Sequence, residues 1–372
     1  MLVGVPKETK TLEFRVGLVP DAVAALVRQG HQVCVEAGAG AGIGLEDDDY
    51  RNVGARIVAD AAAVFAAADL VVKVKEPQPA EIALLRPGHI LFTYLHLAAD
   101  RGLTAALANS GAVCIAYETI TDDRGGLPLL APMSEVAGRM AVQVGARCLE
   151  KEFGGSGILL GGVPGVPAAE VVVLGGGVVG TNAVRMAVGL EAQVTVIDRS
   201  IARLRELDDI FGSRIQTLYS SSDAIGRAVA RADLVIGAVL LPGAAAPKLV
   251  SRDMLREMRR GSAAVDVAID QGGCFETSRP TTHAQPTYVE EGIVHYCVTN
   301  MPGAVPRTST FALNNATRPF VLALADKGWR QALAADVHLR RGLNVVAGRL
   351  TNSEVAAAFD QTAITPEQAL GV

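Results

Sequence analysis

The sequence is poor in charge, in basic clusters and in cysteine, and each shortage excludes something. Charged residues make up 20% of the 372 and leave a net charge of −5, with no basic block and no stripe of alternating aromatic and basic residues. Nucleic acid and a membrane surface are therefore not expected partners. Half of the residues are hydrophobic, yet no apolar run of about 18 residues escapes charge or turn signals, so no spanning helix is expected. Met1 leads straight into strand-like "MLVGVP", without a signal-peptide pattern. The five cysteines (34, 114, 148, 274 and 297) show no CxxC spacing, and most lie in apolar runs. They read as buried free thiols of a cytoplasmic protein.

What is present is enough apolar sequence for two cored domains. Strand-like and helix-like segments alternate in two rounds. The first round runs through "LVGVP", "HQVCVEAG", "ADLVVKVKEP", "GHILFTYLH" and "GAVCIAYETI". The second runs through "EVVVLGGG", "QVTVID", "ADLVIGAVL", "SAAVDVAID" and "IVHYCVTNMP". Between them, 133–153 has helical periodicity and reads as a connecting helix. Beyond "NMPGAVPRTST" the chain reads as helical again, in "FALNNATRPFVLALADKGW" and "TNSEVAAAFD", and these helices are expected to pack on the first domain. The expected fold is α/β, with two Rossmann-like doubly wound parallel-sheet domains and an active site in the interdomain cleft. The catalytic domain is discontinuous, 1–130 and 308–372, and encloses a dinucleotide-binding domain, 131–307.

The second round opens with Gly175-x-Gly177-x-x-Gly180, placed between the apolar run Val171–Leu174 and a helix-compatible stretch that begins at Val178. In a dinucleotide-binding loop Gly175 makes the tight turn, Gly177 admits the pyrophosphate and Gly180 packs helix on strand. The anion would sit at the helix N-terminus. Three glycines alone also suit an ordinary turn, but "QVTVID" follows and ends in Asp198, near the ~20-residue offset at which a carboxylate meets the adenosine ribose. A carboxylate there repels a 2′-phosphate, so NAD is expected rather than NADP.

Four polar residues interrupt apolar context at strand ends: Arg15, Lys75, His96 and Asp270. A guanidinium fork and an ammonium suit the carboxylate and carbonyl oxygens of a substrate. His96 suits proton transfer near neutral pH, and Asp270 suits orienting a water or assisting the acid–base step. Each has a plainer alternative. Arg15 has Glu13 and Asp21 as possible partners. Lys73 and Lys75 read equally as two snorkelling surface lysines. His96 suits a structural hydrogen bond, and Asp266 competes with Asp270 for the same role.

The stretches "GVPKETKTLEFRVGLVP", "VKVKEP", "LFTYLHLA", "LPLLAPMSEVAGRMA", "VDVAIDQGGCFETSRPTTH" and "YCVTNMPGAVPRTST" together resemble the alanine dehydrogenase family, which includes the transhydrogenase alpha subunit, over essentially the full length. The resemblance implies reversible NAD-dependent deamination of L-alanine to pyruvate and ammonium by a homohexamer. It implies Arg15 and Lys75 as substrate-binding residues, and His96 and Asp270 as the acid–base pair. Its implied cofactor contacts are Ser134, Gly175, Gly177, Val178, Gly180, Asp198, Arg203, Ser220, Val239, Leu240, Val267, Ala268, Ile269, Asp270, Arg279, Val298, Thr299, Asn300 and Met301. Some relatives hold a divalent ion with a glutamate at the position of Glu118 and a histidine where this chain has Lys327. A cation there disfavours a metal, so none is expected, and Glu118 is expected to pair with Lys327. Two competing readings are a transhydrogenase-like NAD(H)-binding subunit, which needs no substrate acid–base pair, and a non-catalytic NAD-binding protein, which has no use for the four polar residues together.

Overall fold

The structure, a computed structural model, describes residues 1–239 and 246–371. The chain divides into two compact units, one formed by Met1–Met133 with Val305–Val372, the other by Ser134–Ala304.

The first unit contains β1 (Leu2–Val5), β2 (Gln32–Glu36), β3 (Arg56–Val58), β4 (Leu70–Val72), β5 (Ile90–Thr93) and β6 (Val113–Ala116), then, late in the chain, β14 (Leu343–Val346) and β15 (Arg349–Leu350). They form one sheet in the order β15-β14-β6-β5-β4-β1-β2-β3. Pairings among β1 to β6 are parallel, and β14 runs antiparallel to β6. β4, β5 and β6 are buried throughout, so they read as continuous Leu, Val, Ile and Phe rather than alternating, as a parallel sheet covered on both faces requires. From β1 the chain winds one way to β2 and β3, then returns beside β1 and winds the other way through β4, β5 and β6. The carboxyl ends of β1 and β4 therefore flank a switch point, where open α/β sheets bind ligands.

The second unit contains β7 (Glu170–Leu174), β8 (Gln193–Asp198), β9 (Ile215–Tyr219), β10 (Leu234–Gly237), β11 (Ala263–Asp266), β12 (Thr287–Glu290) and β13 (Ile293–Tyr296), in the order β12-β13-β11-β10-β7-β8-β9. Its switch point lies between β7 and β10. Val172, Leu174, Val235, Ala264 and Phe275 share one buried cluster.

The strand pattern of the sequence passed over β3, β9, β12, β14 and β15. Each of these except β14 is a sheet edge or the last pair at one, and β3, β9 and β12 are half-exposed, so burial imposes no apolar run on them. The stretch beyond residue 308 is thus not wholly helical. The helix Pro306–Ala335, kinked at Gly328, is followed by the hairpin of β14 and β15, which turns at Ala347 (φ 48°) and Gly348 (φ 77°). Within the first unit, Asn314 of that helix accepts from Val19 N at 2.9 Å and donates to Gly17 O at 3.1 Å.

In the second unit the helix Ala131–Cys148 crosses the helix Val178–Gly189, and Arg139 Nε donates to Asn182 Oδ1 at 3.0 Å. A Cβ on Gly138 would stand 2.1 Å from Val179 O, so the crossing needs glycine there. Overpacking of this kind costs about 1–3 kcal/mol. Gly138→Ala should lower the thermal unfolding midpoint clearly. A midpoint equal to the parent's would mean that the helices are not in this close contact.

Candidate active site

Arg15 is buried, at 2% exposure, in the loop that follows β1. Glu13 grips it bidentately, with Nε to Oε1 at 2.6 Å and Nη2 to Oε2 at 2.5 Å, and Nη1 lies 3.2 Å from Met133 Sδ. Of the two partners left open by the sequence, Glu13 is the one, and Asp21 pairs with Arg318 at 2.5 Å. Such a fork fixes the plane of the guanidinium, which a lysine could not match. The loop passes close to β4 because residue 17 is glycine, where a Cβ would stand 2.4 Å from Val72 O.

Lys75 follows β4 and is half-buried. Lys73 is not the snorkelling surface lysine of the plainer alternative, since it is fully buried between Glu8 and Glu81. His96 follows β5 with an exposed side chain and a left-handed backbone (φ 52°). Its Nδ1 lies 3.4 Å from Glu76 Oε2, and its ring stacks on Tyr94 with centroids 5.8 Å apart. Glu76 also pairs with Lys10. Burial opposes the Glu76 charge, but His96 and Lys10 outweigh it and hold the carboxyl far below its ordinary range. Burial pushes the Tyr94 phenol up, and the Arg15 guanidinium close by pulls it back. Arg15, Lys75 and His96 thus gather around the carboxyl ends of β4 and β5. Glu118, which the sequence paired with Lys327, is instead taken up by backbone, accepting from Leu95 N at 3.1 Å and from His96 N at 2.6 Å.

In the second unit Gly175 turns at φ 98°, and a Cβ on Gly180 would stand 1.8 Å from Gly175 O. Gly177 is the N-cap of the helix Val178–Gly189, supplies no side-chain cap, and has open space where a Cβ would be. The first N–H groups of that helix and the open approach fit a pyrophosphate. Asp198 ends β8, with Oδ2 accepting from Gly176 N and Oδ1 from Ser200 N, both at 2.7 Å. Arg203 Nε donates to Gly176 O at 2.6 Å and Nη2 to Thr181 Oγ1 at 2.6 Å, so this arginine braces the glycine turn. Ser220 N donates to Asp198 O at 3.0 Å, and Val239 Cγ2 lies 3.2 Å from a Cβ built on Gly175. Leu240 lies outside the described residues. Ser134 stands in the first turns of the helix Ala131–Cys148.

Asp266 and Asp270 separate cleanly. Asp266 is fully buried and accepts from Ala268 N at 3.1 Å, Cys274 N at 2.8 Å and Ser278 Oγ at 2.5 Å. It organises the turn Val267–Gln271 that carries Asp270, whose side chain is exposed, while Ala268 and Ile269 are buried. Burial pushes the Asp266 carboxyl up against these donors. Arg279 lies 3.9 Å over the Tyr288 ring. Val298 and Met301 are buried, Thr299 is half-buried, and Asn300 between them is left-handed (φ 64°), its carbonyl accepting from Gly303 N at 2.9 Å. Sequence reasoning missed Glu76, Tyr94, Glu8 and Glu81. Only "PKETKTLEF", which sets Glu8 and Glu13 just before Arg15, hints at Glu8; nothing local points to the other three.

A braced glycine turn at the switch point of a parallel sheet defines a dinucleotide-binding protein, here joined to a second α/β unit with a cluster of arginine, lysine and histidine. The chain belongs to the alanine dehydrogenase/PNT family: residues 4–137 match its N-terminal domain and residues 141–353 its C-terminal domain. It is 63% identical over 359 residues to an alanine dehydrogenase of Halomonas elongata, covering 96% of this chain and 97% of that protein. A solved L-alanine dehydrogenase structure superimposes with a TM-score of 0.94 at 55% identity, covering 97% of this chain and 99% of that one. A transhydrogenase structure from Sinorhizobium meliloti is more distant, with a TM-score of 0.80 at 25% identity over 95% of this chain and 99% of that one.

The position of Asp198 generates a test of cofactor choice. Asp198→Ala removes the repulsion of a 2′-phosphate and leaves Arg199, which is exposed, beside the ribose position. The ratio of kcat/KM for NAD to that for NADP should fall. An unchanged ratio would remove Asp198 from the ribose site.

Proposed function

We propose that this chain catalyses the reversible NAD-dependent oxidative deamination of L-alanine to pyruvate and ammonium, as a homohexamer in the cytoplasm. The observation that carries the reading is the gathering of Arg15, Lys75 and His96 beyond the carboxyl ends of the neighbouring strands β1, β4 and β5, in a chain similar over its whole length to alanine dehydrogenases. All five cysteines are free and buried, which suits a reducing compartment.

The glycine turn, Asp198, Ser220, Val239 and the 267–270 and 298–301 segments would hold NAD, which when bound accepts hydride from the alanine Cα. Arg15, its plane set by Glu13, binds the alanine carboxylate, and Lys75 binds the oxygens alongside it. With Nδ1 turned to Glu76, His96 presents Nε2 as the atom that takes and returns protons. It takes a proton from the attacking water as water adds to the imine carbon, and returns one to the amine as the carbinolamine collapses to pyruvate and ammonium. Asp270 orients that water or shares the proton.

The direct test is reduction of NAD by L-alanine, followed in the NADH absorbance band, and its absence would overturn the reading. General acid–base catalysis contributes about 10²–10⁴-fold, so His96→Ala should cut turnover by at least roughly a hundredfold. Asp270→Asn, which keeps the shape and loses the charge, should also disable turnover. Both should keep the circular dichroism of the parent, with NADH affinity unchanged in His96→Ala and largely retained in Asp270→Asn. Near-parent turnover in a folded His96→Ala protein would show that another residue carries the proton.

Arg15→Lys should impair alanine turnover severely while NADH binding, read by fluorescence, stays at the parent value. The ammonium keeps the charge but cannot be held by Glu13 in a fork. Parent-like turnover would make Arg15 a structural residue.

A further inference from the structure

Lys73 is wholly buried, and so are the two carboxylates around it, with Nζ 2.7 Å from Glu81 Oε1 and 3.2 Å from Glu8 Oε2. Burial opposes the ammonium, but Glu8 and Glu81 together outweigh it and hold Lys73 charged. Replacing buried ion clusters by apolar groups of similar volume is often neutral or stabilising. Stability is therefore weak grounds for keeping three buried ionisable groups here.

What the cluster does fix is the chain just past β4. Glu8 Oε1 accepts from Val74 N at 2.6 Å and from Lys75 N at 3.3 Å. Lys75 O accepts from Thr93 Oγ1 at 3.0 Å. Side chains thus reach both backbone polar groups of Lys75. Farther on, Glu81 Oε2 accepts from Gln78 N at 2.8 Å and so closes the turn into the helix Pro79–Ile82. Tyr117 OH donates to Lys73 O at 3.0 Å. Lys73 therefore ties the loop after β1 to the start of this helix, and the segment pinned between them bears Lys75 and Glu76.

We propose that Glu8, neutralised by Lys73, is a positioning residue for alanine binding, setting the backbone of Lys75 so that its ammonium meets the substrate oxygens. This rests on the reading of Lys75 as a substrate ligand. A merely structural Glu8 would affect the melting temperature and nothing else. A positioning Glu8 acts on KM, and does so through Lys75.

The test is a double-mutant cycle on the full-length protein, with KM for L-alanine, kcat, NADH affinity and melting temperature measured for Glu8→Gln, Lys75→Ala and both together. In Glu8→Gln one buried charge-assisted contact is lost, and KM for alanine should rise about tenfold or more, with kcat falling less and NADH affinity unchanged. In the Lys75→Ala background the same change should add little, because the residue it positions is gone. A folded Glu8→Gln protein with parent KM would overturn the proposal, as would effects that simply multiply in the double variant. Parent KM in Lys75→Ala would instead overturn the substrate role of Lys75, and the proposal with it. If Glu8→Gln does not fold, Glu8→Asp decides. It keeps the charge for Lys73 but withdraws from the two N–H groups, so KM should rise roughly threefold. An unchanged KM in Glu8→Asp would overturn the proposal equally.

Discussion

The carboxyl end of β4 is buried, and any cation placed there must find carboxylates to stand in for water. Two cations are placed there. Lys73 takes Glu8 and Glu81, and Arg15 takes both oxygens of Glu13. Glu8, Glu13 and Arg15 all lie on the one loop that leaves β1, so the loop that brings the arginine also brings its neutralising group and that of Lys73. The arrangement is compact enough to require Gly17, whose missing Cβ leaves room for Val72 O. Neutralising buried charge thus couples the placement of Arg15 to that of Lys75 through a single stretch of chain.

The same device recurs at three other strand ends that carry candidate site residues. Glu118, just past β6, holds the N–H groups of Leu95 and His96 past β5. Asp198, at the end of β8, holds Gly176 past β7. Asp266, at the end of β11, holds its own following turn. In three of these four cases, counting Glu8, the carboxylate comes from the neighbouring strand of the sheet. Where the chain leaves the end of a strand, the first N–H groups beyond it lose their ladder partners. A carboxylate, with two oxygens and about four lone-pair sites, satisfies two or three of them at once, and its charge strengthens each bond.

Local signals in the sequence found the parts that depend on local structure. The glycine turn, Asp198 and the buried central strands follow from spacing and composition, because a turn of that shape admits only glycine and a doubly covered strand admits only apolar residues. Edge strands such as β9 and β12 escaped, since half-exposed residues carry no such demand. Lys73 was misread for a different reason. A period of two puts residues 73 and 75 on one face of an extended strand but does not say whether that face is buried, and the partners that make burial tolerable lie 65 and 8 residues away in the chain. Glu118 was assigned a partner by analogy, whereas its real bonds are to main chain, which no side-chain motif records. The choice between Asp266 and Asp270 was likewise open until burial divided them.

That division shows how fixed backbone and available side chain are separated. Asp266 is sealed in, and Asp270 four residues on is exposed. Glu118 is spent on main chain, and the ring of His96, whose backbone N–H it accepts, is exposed. The left-handed backbone of His96 is unfavourable for a residue with a Cβ, by about 1–3 kcal/mol, and the 2.6 Å bond from His96 N to Glu118 Oε1 offsets part of that cost. A strand that continued in the ordinary extended conformation would direct the next side chain along the pleat. The left-handed residue breaks that direction and turns the imidazole toward Glu76 and the face of Tyr94. A proton-transferring group must be held firmly at its Cα yet stay reachable at its ring nitrogen. A carboxylate on the backbone, rather than on the ring's far side alone, meets both requirements.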